Sequence, residues 1–113
     1  MAPQLFRVYL GGEGEVPGVL NQQGPWILHP AWRSSGTSQT LAELIADGHV
    51  FLICPNAAIA LPNECIDEII TNSLPPIDDV TFLGPTVQSS EVRRILKSGG
   101  EWTDNGQTKY VKP

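Results

Sequence analysis

His49-Val50-Phe51-Leu52-Ile53-Cys54, set between Gly48 and the turn-forming pair Pro55-Asn56, is apolar without interruption. A strand with one wet face alternates apolar and polar residues. A strand covered on both faces reads as a continuous run, as in a parallel sheet. The residues just before the run signal a helix. Thr40-Leu41-Ala42-Glu43 has the spacing of a capping box, Leu41, Leu44 and Ile45 form an apolar stripe, and Gly48 stands where the helix ends.

On the N-terminal side, Phe6 to Leu10 is a β-rich run that feeds the glycine turn Gly11-Gly12-Glu13-Gly14. Pro17, Gly18, Gly24, Pro25, Pro30 and Gly36 then break the chain, leaving Val19-Leu20 and Trp26 to His29 as short strands. On the C-terminal side, Ile66 to Thr71 reads as a second buried strand, followed by the turn Pro75-Pro76-Ile77-Asp78-Asp79. Residues 87–98 predict a helix with Val92, Ile95 and Leu96 on one face, terminated by Gly99-Gly100. Glu101-Trp102 and Lys109-Tyr110-Val111 flank Asp104-Asn105-Gly106 as a C-terminal hairpin. This alternation predicts one α/β domain over residues 1–113, with a mainly parallel sheet and flanking helices.

Composition bounds the function classes. A chain of 113 residues buries ~65% of its unfolded surface. With 41% hydrophobic and 17% charged residues it is neither disordered by composition nor fibrous. The net charge of −5 opposes non-specific binding to nucleic acid. Arg93, Arg94 and Lys97, with Lys109 and Lys112 further on, form a local exception. They read either as cations complementing a helix C-terminus or as a docking patch for an acidic partner. No apolar stretch approaches the ~20 residues of a membrane span, and the N-terminus lacks the apolar core of an export signal. Cys54 and Cys65 lie in apolar stretches and read as small buried hydrophobes in a reducing compartment. Together with His29 and His49 they match no zinc spacing, so no metal site is expected. Neither a GxSxG elbow nor an HExxH helix is present.

Three stretches carry a family resemblance. Asn56-Ala57-Ala58-Ile59-Ala60-Leu61-Pro62, continuing to Asp67 and Asn72, resembles the post-strand motif of class I S-adenosylmethionine-dependent methyltransferases. Glu91-Val92-Arg93-Arg94-Ile95-Leu96-Lys97-Ser98-Gly99-Gly100 is similar to that family's helix-to-strand signature, and Val8 to Glu15 to its glycine-rich first loop. The resemblance implies a small Rossmann-like domain that takes S-adenosylmethionine. Gly11, Gly12, Glu13 and Gly14 would form the cofactor loop, with Asn56 and Ala57 at the adenine. Asn72 would face the same crevice, and Asp78 or Asp79 would be the general base, although these two also read as a solvated turn.

The physical chemistry of the pieces fits that expectation. Glycines let the backbone approach a ligand closely. Glu13 and Glu15 would repel a pyrophosphate but favour a ligand bearing a sulfonium and an ammonium. The departures point the other way. Tyr9 and Leu10 stand where the family has an acidic strand end, and Asn56 replaces the acidic residue before the adenine. No acidic residue is placed to grip the ribose, and Asn21 and Gln22 are the nearest candidates. The family's terminal antiparallel pair and substrate cap exceed this length, so a truncated domain with weakened or lost cofactor binding is expected.

The runs Gly11 to Trp26, Trp32 to Ser35 and Gly84 to Glu91 also resemble methyltransferase-like modules at the C-termini of bacterial polymorphic toxins. That resemblance implies an effector acting in the cytoplasm, delivered within a larger secreted toxin and countered by an immunity protein. Two alternatives stay open. One is a non-catalytic protein-binding module with a decayed cofactor site, using Trp32 and the Arg93–Lys97 helix. The other is a toxin of different chemistry, a nuclease or a nucleotide-consuming enzyme, on the same scaffold.

Overall fold

The computed structural model describes residues 6–55, 58–72 and 89–113. Among them six strands are formed: β1 (Arg7–Leu10), β2 (Leu20–Gln23), β3 (Val50–Ile53), β4 (Ile66–Thr71), β5 (Leu96–Asp104) and β6 (Gln107–Val111). Two helices accompany them, α1 (Leu41–Ala46) and α2 (Ser89–Ile95). The strands make one sheet in the order β3-β2-β1-β4-β5-β6. All neighbours run parallel except β6, which is antiparallel to β5. The domain is therefore a small α/β unit with a mostly parallel sheet. None of its described helices is long and apolar enough to cross a membrane.

Register explains the core. Val8 pairs with Leu20 on one side and Ile69 on the other, Ile69 pairs with Trp102, and Trp102 with Tyr110. Paired residues share a face of a sheet, so this row presents one apolar surface. Val92 and Ile95 from α2 join it, together with Leu10, Cys54, Ile59, Ile66 and Leu96. Val8, Ile69, Ile95 and Leu96 are fully buried, each stabilising the fold by about 1.5–3 kcal/mol through apolar burial.

Several elements sit where the residue pattern predicts them. The Thr40 side chain accepts from the Glu43 amide while the Glu43 side chain accepts from the Thr40 amide, closing the capping box of α1. Asn105 (φ 51°) and Gly106 (φ 81°) make the turn between β5 and β6, the positive-φ pair that two-residue connections of antiparallel strands need.

Other expectations are corrected. Trp26 to His29 is not a strand; Pro25–Leu28 forms a short 3-10 helix that buries Ile27. Pro25 fixes φ and has no amide to donate, which suits a first helical position. β3 is not covered on both faces. It lies at the sheet edge, with Val50 61% exposed and Phe51 to Ile53 half-buried. Of the α1 stripe only Leu44 is buried.

Gly99 and Gly100 do not stop a helix either. α2 ends at Ile95 and β5 begins at once at Leu96. Ile66 pairs with Leu96, but Glu68 already pairs with Glu101, so β5 bulges between them. Gly99 adopts φ 82°, and a Cβ on Gly100 would lie 2.8 Å from the Lys97 carbonyl oxygen. The two glycines permit the bulge.

The connections position the site. β1 and β2 are joined by Gly11 to Val19 without a helix, although parallel crossovers usually carry one. α1 instead reaches this loop from the β2–β3 connection: a Cβ on Gly14 (φ 87°) would lie 2.9 Å from Leu44 Cδ2. The chain builds outward from β1 through β2 to β3, then returns to β4 on the other side of β1. That reversal opens at the carboxyl ends of β1 and β4, where ligands of open α/β sheets bind.

Candidate functional site

Four segments meet the carboxyl edge: the end of β1 with Gly11 to Glu15, the end of β2, Asn72 after β4, and Asp104 at the end of β5. Tyr9, only 3% exposed, ties the first to the third. Asn72 Nδ2 donates to Tyr9 Oη at 2.5 Å. Burial first, then the Glu15 carboxylate and lastly the charge of Glu13, push the phenol well above the usual tyrosine range, opposed by the Asn72 amide. Tyr9 therefore stays protonated.

The glycine loop is closed on itself. The Gly11 amide donates to the Gln22 carbonyl at 2.8 Å and lies 3.3 Å from Gln22 Oε1. Gly12 donates to the Tyr9 carbonyl, Glu13 to Glu15 Oε1 and Gly14 to Asn21 Oδ1. Glu13 in turn accepts from the amide and hydroxyl of Ser35. A phosphate would find engaged amides and two carboxylates here.

β2 supplies the lock. Asn21 and Gln22 are fully buried and Gln23 nearly so. Asn21 Nδ2 donates to the Val50 carbonyl, Gln22 Nε2 to the Cys54 carbonyl and Gln23 Nε2 to the Gly11 carbonyl. Asn21 and Gln22, the candidates for a ribose contact, are thus structural amides joining the loop to β2 and β3.

At the other end of the edge, Trp102 Nε1 donates to Thr71 Oγ1 at 2.9 Å, and Thr71 Oγ1 donates to Asp104 Oδ1 at 2.7 Å. Thr71 is fully buried. Two separate groups of bonded polar side chains therefore stand along the carboxyl edge, one around Tyr9 and one around Thr71.

Of the residues singled out from the sequence, the structure brings Gly11, Gly12, Glu13, Gly14 and Asn72 to this edge. Asn56, Ala57, Asp78 and Asp79 lie outside the described residues. Tyr9, Glu15, Thr71 and Asp104 were not singled out as site residues. In the sequence Tyr9 stands out only as a departure from a motif, and Asp104 only as part of a turn. Among the described residues no three His, Cys, Asp or Glu side chains gather to hold a metal, and both cysteines are free thiols.

The basic cluster divides. Arg94 is held by Glu91 and by the Ile59 and Leu61 carbonyls. Arg93 lies over the Tyr110 ring, and Lys97 pairs with Asp67. Trp32 is half-buried, while Trp26 is 49% exposed. Comparison with protein families, with curated proteins and with solved structures finds no match to this chain.

Proposed function

We propose that the chain is a methyltransferase-like domain of Rossmann-like topology that takes an S-adenosylmethionine-type ligand at the carboxyl edge. The observation that carries this reading is the meeting of the acidic glycine loop and Asn72 at the β1–β4 reversal, with the Tyr9 phenol bonded to Asn72 between them. The parallel order of β3 to β5 around that reversal supports the topology. The donor set fits a cation better than a phosphate, because the loop offers carboxylates and its amides are engaged. When bound, such a ligand supplies an electrophilic methyl group. The chain's own part is to orient it, with Glu13 and Glu15 toward the ligand's cationic groups and Asn72 toward its polar edge. The toxin-module resemblance adds a cellular target and an immunity protein as partner.

The saturated loop supports a second reading, a protein-binding module whose adenosyl site has decayed. Calorimetric titration with S-adenosylmethionine and S-adenosylhomocysteine, with NAD and ATP as controls, separates the two. Micromolar binding of the adenosyl ligands, weakened at least about tenfold by Asn72→Ala, supports the cofactor reading. Absence of heat from both adenosyl ligands overturns it in favour of the binding module.

A further inference from the structure

The opposite edge of the sheet holds a cavity of about 330 Å³ where β1, β2 and β3 begin. That size falls within the range of small-molecule sites, roughly 300–1,000 Å³. Arg7, Val19, Leu20, His49 and Val50 line it, with Phe6 beside them. Gly18 and Gly48 also line it, and a Cβ on either would meet nothing within 4 Å. The backbone there borders open space.

The lining has two characters. Val19 is buried and Leu20 half-buried, while Phe6 and Val50 are exposed. The polar side chains are Arg7 and His49, with no carboxylate among the described lining residues. Arg7 donates its Nε to Glu68 Oε1 at 2.8 Å. Neither terminal nitrogen of Arg7 has a hydrogen-bond partner among the described residues, and neither has the His49 imidazole. An ion pair on Nε holds the guanidinium in one plane and leaves its outer fork for a second acceptor. Two parallel bonds to one carboxylate suit that fork.

We propose that this cavity binds a small carboxylate with an apolar body. The outer fork of Arg7 and the His49 imidazole receive the carboxylate, and Val19, Leu20 and Val50 cover the body. The site touches the glycine loop at one point, since a Cβ on Gly14 would lie 3.4 Å from His49 Nε2, but its anion contact is Arg7 and it does not depend on the reading given to the carboxyl edge.

The test is titration of the ¹⁵N-labelled full chain with benzoate and with its neutral counterpart, benzyl alcohol, followed by amide shifts. Benzoate is expected to move the Gly18, Gly48, His49 and Val50 amides saturably, and benzyl alcohol to bind at least about tenfold more weakly. Arg7→Gln is expected to weaken benzoate by a similar factor. Val50→Trp, at an exposed position, is expected to fill the cavity and block benzoate with Arg7 intact. Absence of saturable shifts at these amides overturns the proposal, as does equal affinity for the two probes. Should Arg7→Gln fail to fold, the probe comparison and Val50→Trp still decide.

Discussion

Two glycines show how differently one added methyl group can act. A Cβ at Gly12 would lie 2.5 Å from Asn21 Oδ1 and 3.0 Å from Tyr9 Cγ. Neither neighbour can retreat, since Asn21 is fully buried and bonded at both ends. Gly12→Ala is expected to lose about 2 kcal/mol in denaturant unfolding. At Gly24 the added atom would meet the Trp26 ring, but that ring is half exposed and free to swing, and φ is −74°. Gly24→Ala should stay within about 0.5 kcal/mol. Tyr9 makes the fold sensitive to base. Its folded phenol ionises above the unfolded value near 10. Stability is therefore undiminished by this group below about pH 10 and falls above it, as the unfolded chain releases the proton first. Unfolding measured from pH 9 to 11 should show that decline, and Tyr9→Phe should remove it. Tyr9 was hard to read as a site residue because FRVYL is an ordinary β-rich run. Its importance comes from Glu15 and Asn72, one supplied by a loop and the other by a distant strand.

Elements were legible where local chemistry fixed them. Thr40 and Glu43 bond each other's amides, so α1 was readable from four residues. The Asn105-Gly106 turn was readable because few residues tolerate two successive positive φ angles. β2 was less legible because Asn21, Gln22 and Gln23 are polar, and their burial depends on carbonyls of distant residues. The β3–β4 connection is also held from afar. Arg94 bonds the Ile59 and Leu61 carbonyls and Asn63 Oδ1, while Glu91 accepts from the Ile59 amide. Arg94→Ala is expected to cost about 2 kcal/mol. The Arg94 guanidinium, opposed by burial and aided by the Ile59 amide, holds the Glu91 carboxyl below the usual range. That stabilisation is present above the unfolded carboxyl value and is lost as pH falls through the folded one. The gap between wild type and Arg94→Ala should accordingly narrow in acid, as thermal unfolding at pH 7 and pH 3 would show.

At the scale of the molecule, the mostly parallel sheet was legible from the alternation of strands and helices, although the continuous run Val50 to Ile53 became an edge strand; the strand order was not legible. Order depends on which strand returns beside β1, and no local pattern encodes that. The same limit applies to the candidate site, which assembles only when β4 lies next to β1. Charge, by contrast, is a whole-chain property and was legible from the start. The net charge of −5, with Arg94 and Lys97 engaged internally, should leave little to attract phosphates. The protein is expected to pass through a heparin or DNA column at about 0.1 M salt. Retention that falls steeply with added salt would contradict this.

The three side-chain amides of β2 also govern how the sheet can open. Apolar alternation cannot fix this strand's register, since polar residues face both sides. Instead each side chain must find one carbonyl, on Val50, Cys54 or Gly11. A slip by one residue, or a partial peeling of β3, would orphan several buried groups at once. Loops normally exchange their amide hydrogens with solvent by local fraying. Here Gly11 and Gly14, though in a glycine-rich loop, should exchange about as slowly as Val8 and Ile69 in the core. The most flexible-looking stretch of the sequence would then mark the least yielding corner of the molecule.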